Sequence, residues 1–146
     1  NSAPETLTRL RNMGVPSFNI ATSVNLVIAQ RLARRLCSKC KIPADIPKNS
    51  LYEMGFTQED LENPEFKLYQ PVGCPECREG YKGRVGIYEV IKITPEISKL
   101  IMEDGNALQI AETAKKLGFS DLRCSGLKKV MQGVTSLQEV NRVTSE

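Results

Sequence analysis

A chain of 146 residues, 40% hydrophobic and 25% charged, has the composition of an ordinary globular protein, which excludes disordered and collagen-like classes. A net charge of +3, no Trp and only 5% aromatic residues argue against a nucleic-acid partner. His is absent, so His triads, His general bases and His metal ligands are excluded, and any metal must be held by Cys, Asp or Glu.

Residues 1–36 read as helical. Pro4 opens a short helix with Leu7 and Leu10 on one face and Gly14 past its end. Val15-Pro16-Ser17 is a turn. From about Asn19, residues Ile20, Val24, Val27, Ile28, Leu32 and Leu36 recur at three- and four-residue steps, which predicts a longer helix ending in Arg31, Arg34 and Arg35. No apolar run approaches the ~18 residues of a membrane span. Asn19, Thr22, Ser23 and Asn25 interrupt the least charged stretch, and no signal-peptide pattern is present. The first residue is Asn1 rather than Met, which reads as a piece of something longer.

Residues 37–93 change character. Cys37-Ser-Lys-Cys40 follows the predicted helix, and Pro43, Pro47, Gly55, Pro64 and Pro71 break up what comes next. Ser50 and Thr57 are candidate caps for short helices at 51–54 and 58–62. Acidic residues from Asp45 to Glu65 read as a solvated surface. Phe66–Gln70 and Arg84–Ile91 alternate like strands, with Val85, Ile87 and Glu89 opposite Tyr88 and Val90. Cys74-Pro-Glu-Cys77 and Gly80-Tyr-Lys-Gly83 lie between them, so an antiparallel pair joined by a metal knuckle is expected. Gly83-Arg84-x-Gly86 is too short for a phosphate loop and reads as hairpin geometry.

Residues 94–146 read as short helices. Thr94-Pro95-Glu96 is a cap, a first-position Pro and a first-turn acid, and Asp104-Gly105 stops that helix. Asn106 caps the next, with Leu108, Ala111, Ala114 and Leu117 inside and Gly118 as its stop. Ser120 caps a third, with Leu122, Leu127, Val130 and Met131 inside. Ser136-x-x-Glu139 fits a capping box for the last.

Four of five cysteines form two Cys-x-x-Cys pairs, the strongest chemical signal in the chain. A two-residue spacer lets both sulfurs of a pair face one ion, and two such turns complete a tetrahedral thiolate shell. Cys37, Cys40, Cys74 and Cys77 are therefore candidate ligands of a structural zinc, with Lys39, Lys41 and Arg78 offsetting its negative charge. The 33 residues between the pairs exceed the usual ~15–20. A longer loop is cheap, at about 0.6 kcal/mol per doubling, against ~10–16 kcal/mol for structural zinc. An iron–sulfur cluster and a redox dithiol are the competing readings. Cys124 stands alone and reads as a small, semi-buried side chain.

The residues also carry a resemblance. Pro16 to Cys37, then Cys37-x-x-Cys40, then Cys74-Pro-x-Cys77-x-x-Gly80-Tyr-x-Gly83-Arg84-x-Gly86-Ile-Tyr-Glu89 are similar to the type IV pilus assembly ATPases of the PilB type. Gly118-Phe-x-x-Leu122, Gly126 to Glu139 and Arg142-Val-Thr144 continue it. The likeness to type II secretion ATPases of the GspE type is weaker. Arg123-Cys124-Ser125 departs from the family, which more often has a polar–acidic pair there.

The resemblance implies a zinc-binding subdomain, residues 37–93, inserted between the last helices of a RecA-like motor domain, residues 1–36, and a C-terminal helical bundle, residues 94–146. The fold class is then mainly α with a small β-hairpin. It implies that Cys37, Cys40, Cys74 and Cys77 hold zinc. It also implies a cytoplasmic homohexameric ATPase that powers pilus extension against an inner-membrane platform protein. Arg31, Arg34 and Arg35 read first as a solvated or core-edge helical face, the alternative being a face toward a neighbouring subunit or nucleotide in that hexamer. Asn1-Ser2-Ala3 resembles the tail of the family's histidine box. No Gly-x-x-x-x-Gly-Lys-[Ser/Thr] occurs, so ATP and magnesium belong to the parent ATPase and this stretch is structural and coupling. The rival classes are a free-standing zinc-ribbon interaction module or transcription-associated adaptor, and a thiol–disulfide enzyme.

Overall fold

Side chains of Ser2, Thr57, Thr94 and Asn106 each accept a hydrogen bond from the amide three residues on, and each opens a helix. These helices are α1 (Ala3–Asn12), α4 (Gln58–Glu62), α5 (Pro95–Met102) and α6 (Ala107–Lys116). The remaining helices of the computed structural model are α2 (Ser17–Ser23), α3 (Lys48–Met54), α7 (Leu122–Met131) and α8 (Leu137–Thr144). Residues 2–144 are described; Asn1 of the Asn1-Ser2-Ala3 stretch lies outside them. None of these helices is long and apolar enough to cross a membrane.

The longer helix expected from Asn19 to Leu36 is not present. The helix ends at Ser23, and β1 (Leu26–Leu36) follows. The three- and four-residue spacing was carried by Ile28 and Leu32, which are exposed, whereas Val27, Ala29 and Ala33 are buried. Small alanines hid a two-residue period behind larger neighbours. The strand's partner is β4 (Tyr81–Lys92), so the pairing expected between 66–70 and 84–91 is also corrected. Ile93 N–H donates to Asn25 C=O at one end and Cys37 N–H to Gly80 C=O at the other, the order of an antiparallel ladder. Of the 66–70 segment only β3 (Tyr69–Gln70) is strand; it pairs antiparallel with β2 (Ile42–Pro43).

Ser50 lies inside α3, which starts at Lys48, so it is not the cap. In α6 the inward residues are Ile110 and Ala114, while Leu108 and Leu117 are exposed. Gly83 and Gly86 lie within β4 rather than in a hairpin turn.

The chain forms two compact units, one joining Asn1–Gln30 with Tyr88–Leu122, the other Arg31–Ile87 with Arg123–Glu146. The segments 1–36, 37–93 and 94–146 are each divided between them. In the first unit, α2 packs on α5, and α6 packs on both α1 and α5. Ile20, Ile97, Ile101 and Ile110 fill its interior. The second unit buries Leu36, Leu51, Phe56, Leu127, Val130 and Val140. Gly126 allows α7 and α8 to approach closely, since a Cβ there would lie 2.9 Å from Val140 Cγ1.

Candidate metal centre

Cys37 is the first residue beyond β1, and its amide is tied to Gly80 at 2.9 Å. Lys41 N–H returns to Cys37 C=O at 3.1 Å, closing a turn that carries Cys40. On the other side, Cys77 N–H donates to Cys74 C=O at 3.2 Å, closing the second turn. Arg78 and Tyr81 then exchange both backbone hydrogen bonds across Glu79 and Gly80, whose φ angles of 56° and 94° suit a tight hairpin. Gly80 is required there. A Cβ would come within 2.5 Å of the Pro71 side chain.

These turns gather Cys37, Cys40, Cys74 and Cys77 in the second unit, with their sulfurs all within 4.8 Å of one another. The Cys37–Cys74, Cys40–Cys77 and Cys74–Cys77 sulfur separations are 3.8, 3.7 and 3.5 Å. A tetrahedral ion with bonds of about 2.3 Å to sulfur sets its ligands about 3.8 Å apart, so these edges fit one such ion. The cysteines are free thiols.

Backbone amides point at the sulfurs. Gly73 N–H donates to Cys40 Sγ at 3.4 Å and Cys74 N–H to Cys77 Sγ at 3.3 Å. The Lys39 amide favours the Cys37 thiolate and, against burial, brings that thiol down to about 7. The Glu76 amide does the same for Cys74, but the Cys77 thiol and burial outweigh it and push Cys74 up to about 12. At Cys40, the Gly73 amide is likewise outweighed by burial and the neighbouring thiols, and its pKa is raised. Four thiols this close cannot all ionise without a cation. The amide donors are the partners that orient ligands in metal sites. Lys39 and Glu76 join the two turns by an exposed ion pair of 2.7 Å.

Lys41 anchors the first turn, donating to Gly133 C=O at 2.8 Å and lying 4.4 Å from the centroid of the Tyr69 ring. Arg34 is on β1 rather than on a helix. It reaches the Glu139 carboxylate with its amide at 2.6 Å and its guanidinium at 3.0 Å, and lies 4.2 Å above the Tyr81 ring. Arg142 reaches the same carboxylate at 2.9 and 3.0 Å. The Arg142 and Arg34 hydrogen bonds outweigh burial and hold Glu139 down at about 2. Ser136 caps α8 through Glu139 N–H, but the Glu139 side chain turns to the arginines instead of closing the expected capping box. Arg35 is exposed and Arg31 is half-buried. Cys124, expected to be semi-buried, is exposed on α7. Sequence reasoning missed the Glu139 centre; a buried acid three residues after a cap, with Arg142 one turn on, was its only local signal.

A profile of the family described as Type II/IV secretion system protein matches residues 1–142. The chain belongs to that family. It is 80% identical, over its whole length, to the type IV pilus assembly ATPase PilB of Acinetobacter baylyi, covering 25% of that protein. To PilB of Pseudomonas aeruginosa it is 63% identical over 100% of the chain and 25% of the relative. Type II secretion system protein E of Pectobacterium carotovorum is 40% identical over 100% of the chain and 28% of the relative. The chain thus spans about a quarter of the length of the curated relatives it matches.

Proposed function

We propose that this chain is the C-terminal, metal-bearing quarter of a cytoplasmic hexameric ATPase that drives type IV pilus extension. The 80% identity to a pilus assembly ATPase across all 146 residues carries the reading. Type II secretion is the second reading, supported at 40% identity. In this reading residues 1–36 close a RecA-like motor domain, 37–93 hold the metal and 94–146 form the terminal helical part. ATP and magnesium are bound by the parent's upstream motifs. Its partners are neighbouring subunits and an inner-membrane platform protein.

Cys37, Cys40, Cys74 and Cys77 would hold one zinc, which supplies a fixed crosslink between two chain turns and leaves no ligand position open. The chain's own part is to present four sulfurs at tetrahedral spacing and to aim backbone amides at them. Deleting the gene in its host tests the assignment. Lost pili with normal protein secretion is the expected result; intact pili with failed secretion would transfer the chain to the second reading. Elemental analysis of the purified chain should give about one zinc per chain, by the four-ligand stoichiometry, and iron in its place would refute the metal assignment.

A further inference from the structure

Glu89, the last residue of the Gly83-to-Glu89 motif, points inward from β4 and is 5% exposed. No ion pair to it is present among the described residues. Its Oε1 instead accepts the Ala3 amide at 2.7 Å. Ala3 is the first residue of α1. The Leu122 amide, at the first residue of α7, also favours the charged carboxylate. Glu89 therefore accepts at the positive end of α1, and both Glu89 and Ala3 belong to the first unit.

The first-turn amides of α1 are fully accounted for. Ser2 N–H goes to Glu5 Oε2, Glu5 N–H goes to Ser2 Oγ, and Pro4 has none. These bonds are local. The bond from Ala3 to Glu89 is the long-range tie, spanning 86 residues of sequence. We propose that Glu89 is a positioning residue, whose carboxylate fixes the point at which the chain enters α1.

Two facts set this residue apart from ordinary core. Burial raises its pKa despite the Ala3 and Leu122 amides, and the nearby Asp121 and Glu5 carboxylates push the same way. A buried charge without a cation costs stability that an apolar side chain would not. A neutral glutamine of the same shape offers one acceptor oxygen and an NH2, so it cannot suit the Ala3 and Leu122 amides together. The role deepens the ATPase reading and rests on it. In the parent, whatever precedes Ala3 is delivered to its place by this bond.

The test has two arms. In the 146-residue chain, Glu89→Gln should speed hydrogen exchange at the Ala3 or Leu122 amide about tenfold or more, with Ile97 and Ile110 amides unchanged. Glu89→Asp, which withdraws the carboxylate by one methylene, should do the same and serves if the glutamine variant does not fold. In the parent ATPase, Glu89→Gln should lower kcat about tenfold with KM for ATP within about twofold, the pattern of a misplaced rather than a missing contact. The exposed Glu112→Gln is the control. Unchanged protection at both amides overturns the inference, as does lost protection with unchanged kcat. An unsubstituted parent that turns over no ATP refutes the ATPase reading before any variant is made.

Discussion

Ile20, Ile97, Ile101 and Ile110 fill the first unit, where Glu89 is the buried charge. The second unit buries Cys37, Tyr81, Thr135, Ser136 and Glu139 beside its apolar residues. Tyr81 Oη and Ser136 Oγ meet at 2.7 Å, Thr135 Oγ1 donates to Arg34 C=O at 2.7 Å, and two arginines converge on Glu139. One interior is held by non-directional apolar burial, which tolerates small changes in shape. The other is held by directional groups, which fail when one partner is removed. The units should therefore answer to different insults.

The largest effect should come from the cysteines. Cys37→Ser, or a strong chelator, should abolish exchange protection throughout the second unit while Ile97 and Ile110 amides persist. Structural zinc contributes ~10–16 kcal/mol of apparent binding energy, more than a small unit's net stability. Uniform loss across the chain would erase the contrast between the units.

Ile97→Ala should cost about 2–5 kcal/mol by leaving a cavity, with metal content unchanged. Loss of metal in that variant would show the two interiors to be one cooperative system. Glu139→Gln should cost about 1–3 kcal/mol, because charge-assisted hydrogen bonds to two half-exposed guanidiniums are lost. The acid limb carries its own signature. Glu139 has a depressed pKa of about 2 against an ordinary 4.5, so its contribution is complete above the ordinary value and is lost as pH falls through about 2. Unfolding curves between those limits should steepen in the native chain and flatten in the variant.

Asn106→Ala removes the cap of α6 and should cost about 1 kcal/mol, read by thermal unfolding. The smallest effect belongs to Cys124→Ser, within about 0.5 kcal/mol, with metal content unaffected.

What the sequence revealed and what it hid divide on locality. Thr57, Thr94 and Asn106 act on amides three residues away, so their helices were readable. The Cys-x-x-Cys turns are local as well, and two of them in one His-free chain defined the four sulfurs. Arg34 and Glu139 are 105 residues apart, and nothing near either one names the other. Strand β1 was misread because Ile28 and Leu32 satisfied a helical period while Ala29 and Ala33 set the true one. The pairing of β1 with β4 was lost with it.

The two cysteine turns also impose an order on synthesis. Cys40 leaves the ribosome 33 intervening residues before Cys74. At about 5–20 residues per second, the first pair exists for about 2–7 s with only half of the sulfur cluster. During that interval Cys37 and Cys40 are accessible thiols, open to capture by oxidants or by ions of the wrong kind. Completion waits for the Glu79–Gly80 turn to deliver the second pair. A nascent chain stalled before Cys74 is thus the form most exposed to chemical damage.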